Sequence, residues 1–101
     1  MAQHDGVVET TDQTLALETD LTASQVATLR PQIKGLVAAG MRRLVVDMAR
    51  CGIVDSSGIG LLVATHNSLV RMGGSLSLTG VSKDLRDLFE TMRLQQHFTI
   101  A

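Results

Sequence analysis

The run Asp55-Ser56-Ser57-Gly58-Ile59-Gly60 places two hydroxyls and a carboxylate between an apolar strand and an apolar helix. A helix start leaves its first backbone N–H groups unpaired, so a serine there stands beside a ready-made anion site. Phosphorylation would add about −1.5 to −2 of charge and three acceptor oxygens at that spot. A favourable contact between such a charge and a helix end is worth roughly 0.3 to 1 kcal/mol when exposed, so the modification need not unfold the domain. The step favours a docking switch over an enzyme, although from the residues alone an ordinary helix N-cap is the commoner role of a serine such as Ser56. Gly58 and Gly60 either let a partner backbone or phosphate come close or settle a tight strand-to-helix corner. Neither a dinucleotide fingerprint nor a Gly-Lys-Ser/Thr ending follows, so the chain is not read as a nucleotide-binding motor.

Catalysis by the chain itself is a poorer reading, and no catalytic residue is assigned. His4, His66 and His97 lie far apart in sequence, and a serine triad also needs an orienting acid and oxyanion donors. His66 sits on an apolar helix face and reads as a partly buried structural histidine. No metal ligand set is assigned: Asp47 and Asp55 lack further ligands of the right kind, and no cofactor is expected. Asp47, inside a strand, reads as an acceptor for a neighbouring loop, with a direct part near Ser56 as the alternative. Cys51 is the only cysteine, so it forms no internal disulfide and reads as a small, partly buried apolar side chain.

The elements that position Ser56 follow from periodicity. Val7 to Thr10 and Thr14 to Glu18 read as strands of a hairpin turning at Asp12-Gln13. Thr22-Ala23-Ser24-Gln25 reads as a capping box that opens a helix, with Val26, Leu29, Ile33, Leu36 and Val37 on its apolar side. Pro31 predicts a kink, or a turn and a second helix, and Gly40 predicts the exit. Leu44 to Met48 reads as a strand buried on both faces. Beyond Ser56, Ile59, Leu62, Val63, His66, Leu69 and Val70 recur at helical spacing up to Gly73-Gly74. Leu76 and Leu78 alternate with Ser75, Ser77 and Thr79 as a one-sided strand. Ser82 caps a last helix that turns Leu85, Leu88, Phe89 and Met92 inward, and His97 to Ile100 forms a short final strand. This alternation predicts one α/β domain over residues 1–101, with a mixed four- or five-stranded sheet and crossover helices packed mainly on one face.

Composition narrows the partners. With 101 residues the chain suits a single module that buries roughly 60 to 65 per cent of its unfolded surface. Its net charge is −1, it has no Lys/Arg block, and its only aromatics are Phe89 and Phe98, which argues against nucleic acid. No segment approaches the roughly 18 apolar residues of a membrane span, and Gln3, His4 and Asp5 do not resemble a signal peptide. The expected compartment is the cytoplasm. Most aliphatic residues are assigned to the core, so no oligomer interface stands out, although a transient homodimer fits.

From Leu44 through Gly60 to Gly73-Gly74, and on through Ser82, Leu85, Leu88 and Phe89, the sequence resembles the STAS domain of bacterial anti-sigma factor antagonists. The Asp-Ser-Ser-Gly-Ile-Gly run after an apolar strand carries most of that resemblance. It implies that Ser56 is the phosphate acceptor and Ser57 its neighbour. It further implies an anti-sigma factor with serine kinase activity as partner and phosphoryl donor, a metal-dependent serine phosphatase that reverses the mark, and release of the sigma factor by the unphosphorylated form. The implied partner surface comprises Asp55, Ser56, Ser57, Gly58, Ile59 and Gly60, flanked by Asp20, Leu21 and Thr22, with Asp55 shaping the serine loop. Where the family commonly carries Gly-x-Leu-Asp, this chain reads Thr19-Asp20-Leu21-Thr22. The alternatives are a non-catalytic STAS scaffold in a signalling complex and an accessory subunit of a membrane lipid-transport ATPase.

Overall fold

A computed structural model describes residues 11–101. The elements run β1 (Asp12–Ala16), α1 (Ala23–Ala38), β2 (Arg43–Asp47), α2 (Ser56–Arg71), β3 (Ser75–Thr79), α3 (Lys83–Thr91), a 3-10 turn (Leu94–Gln96) and β4 (Thr99–Ile100). The sheet order is β1-β2-β3-β4 and every pairing is parallel. Because each crossover is right-handed and each strand joins the same growing edge, all three helices land on one face. The inward residues of adjacent strands stand in register, Leu15 beside Val46 beside Leu78 beside Ile100.

That one-sidedness corrects the reading of the central strand. Leu44, Val46 and Met48 are buried, but Val45 is only half-buried, since it points to the face that carries no helix. The same face holds Asp12 and Arg43, register partners whose side chains form an exposed ion pair at 2.7 Å.

The hairpin reading also changes. Asp12 and Gln13 are not a turn; they open β1 and pair with Arg43 and Leu44. Their weak turn chemistry yields to a parallel ladder, which Leu17 N–H extends to the Asp47 carbonyl at 2.9 Å. Val7 to Thr10 lies outside the described residues, and with it any antiparallel member that would make the sheet mixed.

Pro31 does not divide α1, which is continuous. Ala27 and Pro31 are both exposed, so the missing backbone bond falls on the solvent side of the helix, where its loss costs least. Gly40 ends α1 as expected: its φ is 109°, its N–H reaches the Val37 carbonyl, and Met41 N–H reaches that of Leu36, a Schellman exit. Gly73-Gly74 closes α2 in the same way, with bonds to Val70 and Leu69.

The buried side of α2 runs through Gly58, Leu61, Leu62, Thr65 and Leu69. Val70, expected inside, is 51 % exposed, because the stripe is rotated toward Leu61 and Thr65. On α3, Ser82 Oγ accepts Leu85 N–H at 3.2 Å, and Leu85 and Phe89 are buried as predicted. Leu88 and Met92 are exposed instead, since this nine-residue helix turns only a narrow stripe to the core.

Candidate functional site: two helix starts held by one carboxylate

The loop after β2 returns toward the loop after β1, and the two are stitched together by backbone bonds. Leu21 N–H donates to Ile53 O at 2.9 Å, and Asp55 N–H donates to Leu21 O at 3.3 Å. Leu21 and Val54 thus form a one-residue parallel bridge. Asp20 adds a second tie, its Oδ1 accepting Gly52 N–H at 2.9 Å and Ile53 N–H at 3.0 Å. In the Thr19-Asp20-Leu21-Thr22 segment, therefore, Asp20 holds the serine loop from the neighbouring strand end.

Asp55 is the N-cap of α2. Its Oδ1 accepts Gly58 N–H at 3.0 Å, and its Oδ2 accepts Ala23 N–H, at the start of α1, at 3.1 Å. One carboxylate thereby satisfies orphan donors of two helices and meets the positive ends of both dipoles. The capping box expected of Thr22 does not form. Thr22 Oγ1 and Ser24 Oγ both donate to Gln25 Oε1, at 3.0 and 2.9 Å, so neither Thr22 nor Gln25 caps α1 through its side chain.

Ser56 is the first residue of α2 rather than its cap. It is exposed, as is Ser57, and its hydroxyl makes no hydrogen bond with a described residue. The amides of Ser56 and Ser57 likewise have no partner among the described residues, because Asp55 engages only the third N–H of the helix, and Ile59 N–H begins the helical ladder to Asp55 O. An exposed hydroxyl thus stands beside two free donors.

The two glycines separate. A β-carbon on Gly58 would strike the Leu21 carbonyl and come within 2.8 Å of Val54 Cγ1, so this glycine lets α2 seat on the stitched loops. Gly60 has nothing within 4 Å and is exposed, leaving a bare patch one turn along. Of the flanking residues, Leu21, expected to face a partner, is 1 % exposed and belongs to the core, where its backbone positions the loop. Asp20 and Thr22 are half-buried, and Ile59 is half-buried against the core.

Sequence reasoning missed Ile53. It is 59 % exposed, while its N–H is bound by Asp20 and its carbonyl by Leu21, so an apolar side chain is held outward on a fixed backbone two residues before Asp55. An isoleucine in a Cys51-Gly52-Ile53-Val54 run gives no local sign of facing out. Asp47 accepts Ala49 N–H at 3.0 Å, the loop-bracing role expected of it. Cys51 is buried, its thiol donates weakly to Ile53 O at 3.5 Å, and burial pushes its pKa up, aided by the nearby negative charge of Asp20.

His66 and His97 are not at this site. His66 lies ten residues along α2 from Ser56, roughly 15 Å of helix rise, where its ring packs at 5.8 Å from His97 and 5.5 Å from Phe98. Among the described residues no group of three or more His, Cys, Asp or Glu could hold a metal ion, and no helix is long and apolar enough to cross a membrane.

A parallel sheet with its helices on one face and a capped serine loop at the start of the second helix defines an α/β module of one class, and the comparisons identify the class. Residues 7–100 match the family model described as Mlab, STAS domain, and the chain belongs to the STAS domain family. No curated protein matches the sequence. Among solved structures, a candidate anti-sigma factor antagonist (tm1081) from Thermotoga maritima superposes with a TM-score of 0.79 at 14 % identity, covering 86 % of this chain and 77 % of that one. The anti-sigma factor antagonist SpoIIAA in its unphosphorylated form gives 0.73 at 20 % identity, covering 90 % and 80 %. The Bacillus cell fate determinant SpoIIAA in its phosphorylated form gives 0.72 at 22 % identity, covering 90 % and 84 %. The fold is that of the anti-sigma factor antagonists.

Proposed function

We propose that this chain is an anti-sigma factor antagonist whose docking to an anti-sigma factor with serine kinase activity is switched off by phosphorylation of Ser56. The observation that carries the reading is the exposed, unbonded Ser56 hydroxyl at the start of α2, beside two free amides and the outward Ile53. In the phosphoryl transfer, Ser56 Oγ attacks the terminal phosphorus of ATP held by the partner. A new O–P bond forms, the bond to the bridging oxygen of ADP breaks, and the hydroxyl proton passes to a base on the partner. A serine phosphatase reverses this by hydrolysis, releasing inorganic phosphate. Asp55 is a positioning residue in this scheme, since both its oxygens are engaged by backbone amides.

The unmodified surface would dock through Ile53, Ser56, Ser57 and the open patch at Gly60. A phosphate in that contact meets desolvation and the negative charge of Asp55; a penalty of about 3 kcal/mol lowers affinity more than a hundredfold. Affinity capture from native cell extract under phosphatase inhibition tests this, with mass spectrometry of the captured proteins and of the Ser56 peptide. Wild type and S56A should retain an ATP-binding kinase that S56D and the phosphorylated chain lose. Equal capture by all four forms rejects the switch.

A second reading is favoured by the matched family model carrying the name Mlab rather than that of an antagonist. There the same surface serves a constitutive scaffold or an accessory subunit of a membrane lipid-transport ATPase. Capture of such an ATPase by all four forms alike would establish it.

A further inference from the structure

Away from Ser56, α1 and α2 part to leave a groove of about 330 Å³ along their C-terminal halves. Its walls include Ile33 and Leu61, both buried, and the exposed Met72. Among the described residues, the ionisable ones lining it are all cations, Arg30, Lys34 and Arg42. None of the three forms an ion pair among the described residues, whereas Arg43 and Lys83 each have a carboxylate. Arg42 is fixed in place, its Nη1 donating to the Met41 and Val37 carbonyls at 2.7 and 3.2 Å, with its remaining donors unassigned.

Thr65 makes the groove more than an apolar crease. It is 5 % exposed, the one buried polar residue among those described, and it lines the groove. Its hydroxyl makes no hydrogen bond with a described residue, neither with the carbonyl one turn earlier nor with a side chain across the groove. Among the described residues His66 Nδ1 is the buried side-chain polar atom without a partner, so the Thr65 hydroxyl keeps an opening to the groove and is free to donate to an oxygen that enters it.

An apolar wall, three cations without anions and one free hydroxyl open to the groove describe a single ligand chemistry. We propose that this groove binds a free carboxylate bearing a medium-length hydrocarbon chain. The chain lies against Ile33, Leu61 and Met72, the carboxylate accepts from Thr65 Oγ1, and the cations neutralise it. The volume falls at the small end of ligand pockets, roughly 300 to 1,000 Å³, which suits one chain and not a two-chain lipid. The inference is independent of the Ser56 reading, since no residue of the serine loop lines the groove.

The test is a titration of the full ¹⁵N-labelled chain with decanoate below its micellar concentration, with decanol and butyrate as probes lacking the charge and the chain. Decanoate should give saturable shifts at Ile33, Lys34, Thr65 and Met72 while the amides of Ser56 and Ser57 stay in place. The exposed double variant R30Q/K34Q should bind at least fivefold more weakly, T65V should bind more weakly with its fold intact by circular dichroism, and A64F, at an exposed position on the groove wall, should abolish the shifts. Equal binding of decanol and decanoate, or undiminished binding by R30Q/K34Q, overturns the anionic head. Shifts that are absent, unsaturable or scattered over the surface overturn the site, and a groove that instead docks a protein helix gives that result.

Discussion

Asp55 carries more of the site than the serine beside it. Its two oxygens satisfy amides at the starts of α1 and α2, so D55A should cost about 1 to 3 kcal/mol in urea unfolding, read as a lower midpoint at unchanged slope. D55N, which keeps one acceptor oxygen, should fall between. That a helix starts at this step was legible in the sequence, but the cap was read onto Ser56, one residue beyond the Asp55 that provides it. The bond of Asp55 to Ala23 was not legible, since that amide lies 32 residues away and nothing local announces it. Leu21 misled for a related reason: it sits in the loop that flanks the serine, yet its side chain fills the core. Cys51 supplies a second expectation at this scale. Its thiol pKa is raised by burial, so below the ordinary value of 9.0 folded and unfolded chains both hold the proton. Above it the unfolded chain releases the proton first, and stability falls as pH rises. That alkaline loss should shrink in C51A, and native wild type should react with a thiol reagent far more slowly than chain unfolded in urea.

Among the elements, the helix starts show how far pattern reaches. Ser82 and Thr22 carry equally good capping signals, but only Ser82 accepts a bond from its own helix. S82A should therefore cost about 1 kcal/mol and T22A less than about 0.5 kcal/mol, a difference that paired thermal melts resolve. Thr22 loses the role because Gln25 takes its hydroxyl and Asp55, from another part of the chain, takes the first amide. The helical periods after Ser56 and Ser82 located α2 and α3 correctly but placed Val70, Leu88 and Met92 inside, where each is in fact exposed. Period alone fixes that a stripe exists; its centre depends on the neighbour it meets, here the wall of α1 for Leu61 and Thr65.

For the molecule as a whole, the alternation of strand and helix was enough to expect a crossover fold with its helices on one face. It was not enough to show which side of β2 stays open, because consecutive apolar residues from Leu44 to Val46 look alike on both faces. Val46 is 3 % exposed against the helices and Val45 is half-buried on the other side. V46T should lose about 1 to 3 kcal/mol by burying an extra hydroxyl, whereas V45T should stay within about 1 kcal/mol, measured by the same denaturant series.

The clasp formed by Asp55 also means that the two helices share an anchor, so a disturbance at one is felt at the other. A phosphate on Ser56 would stand beside that carboxylate and repel it from the Ala23 amide. Faster deuterium uptake at the first turn of α1, in a segment far from Ser56 along the chain, would then serve as an internal gauge of the modification.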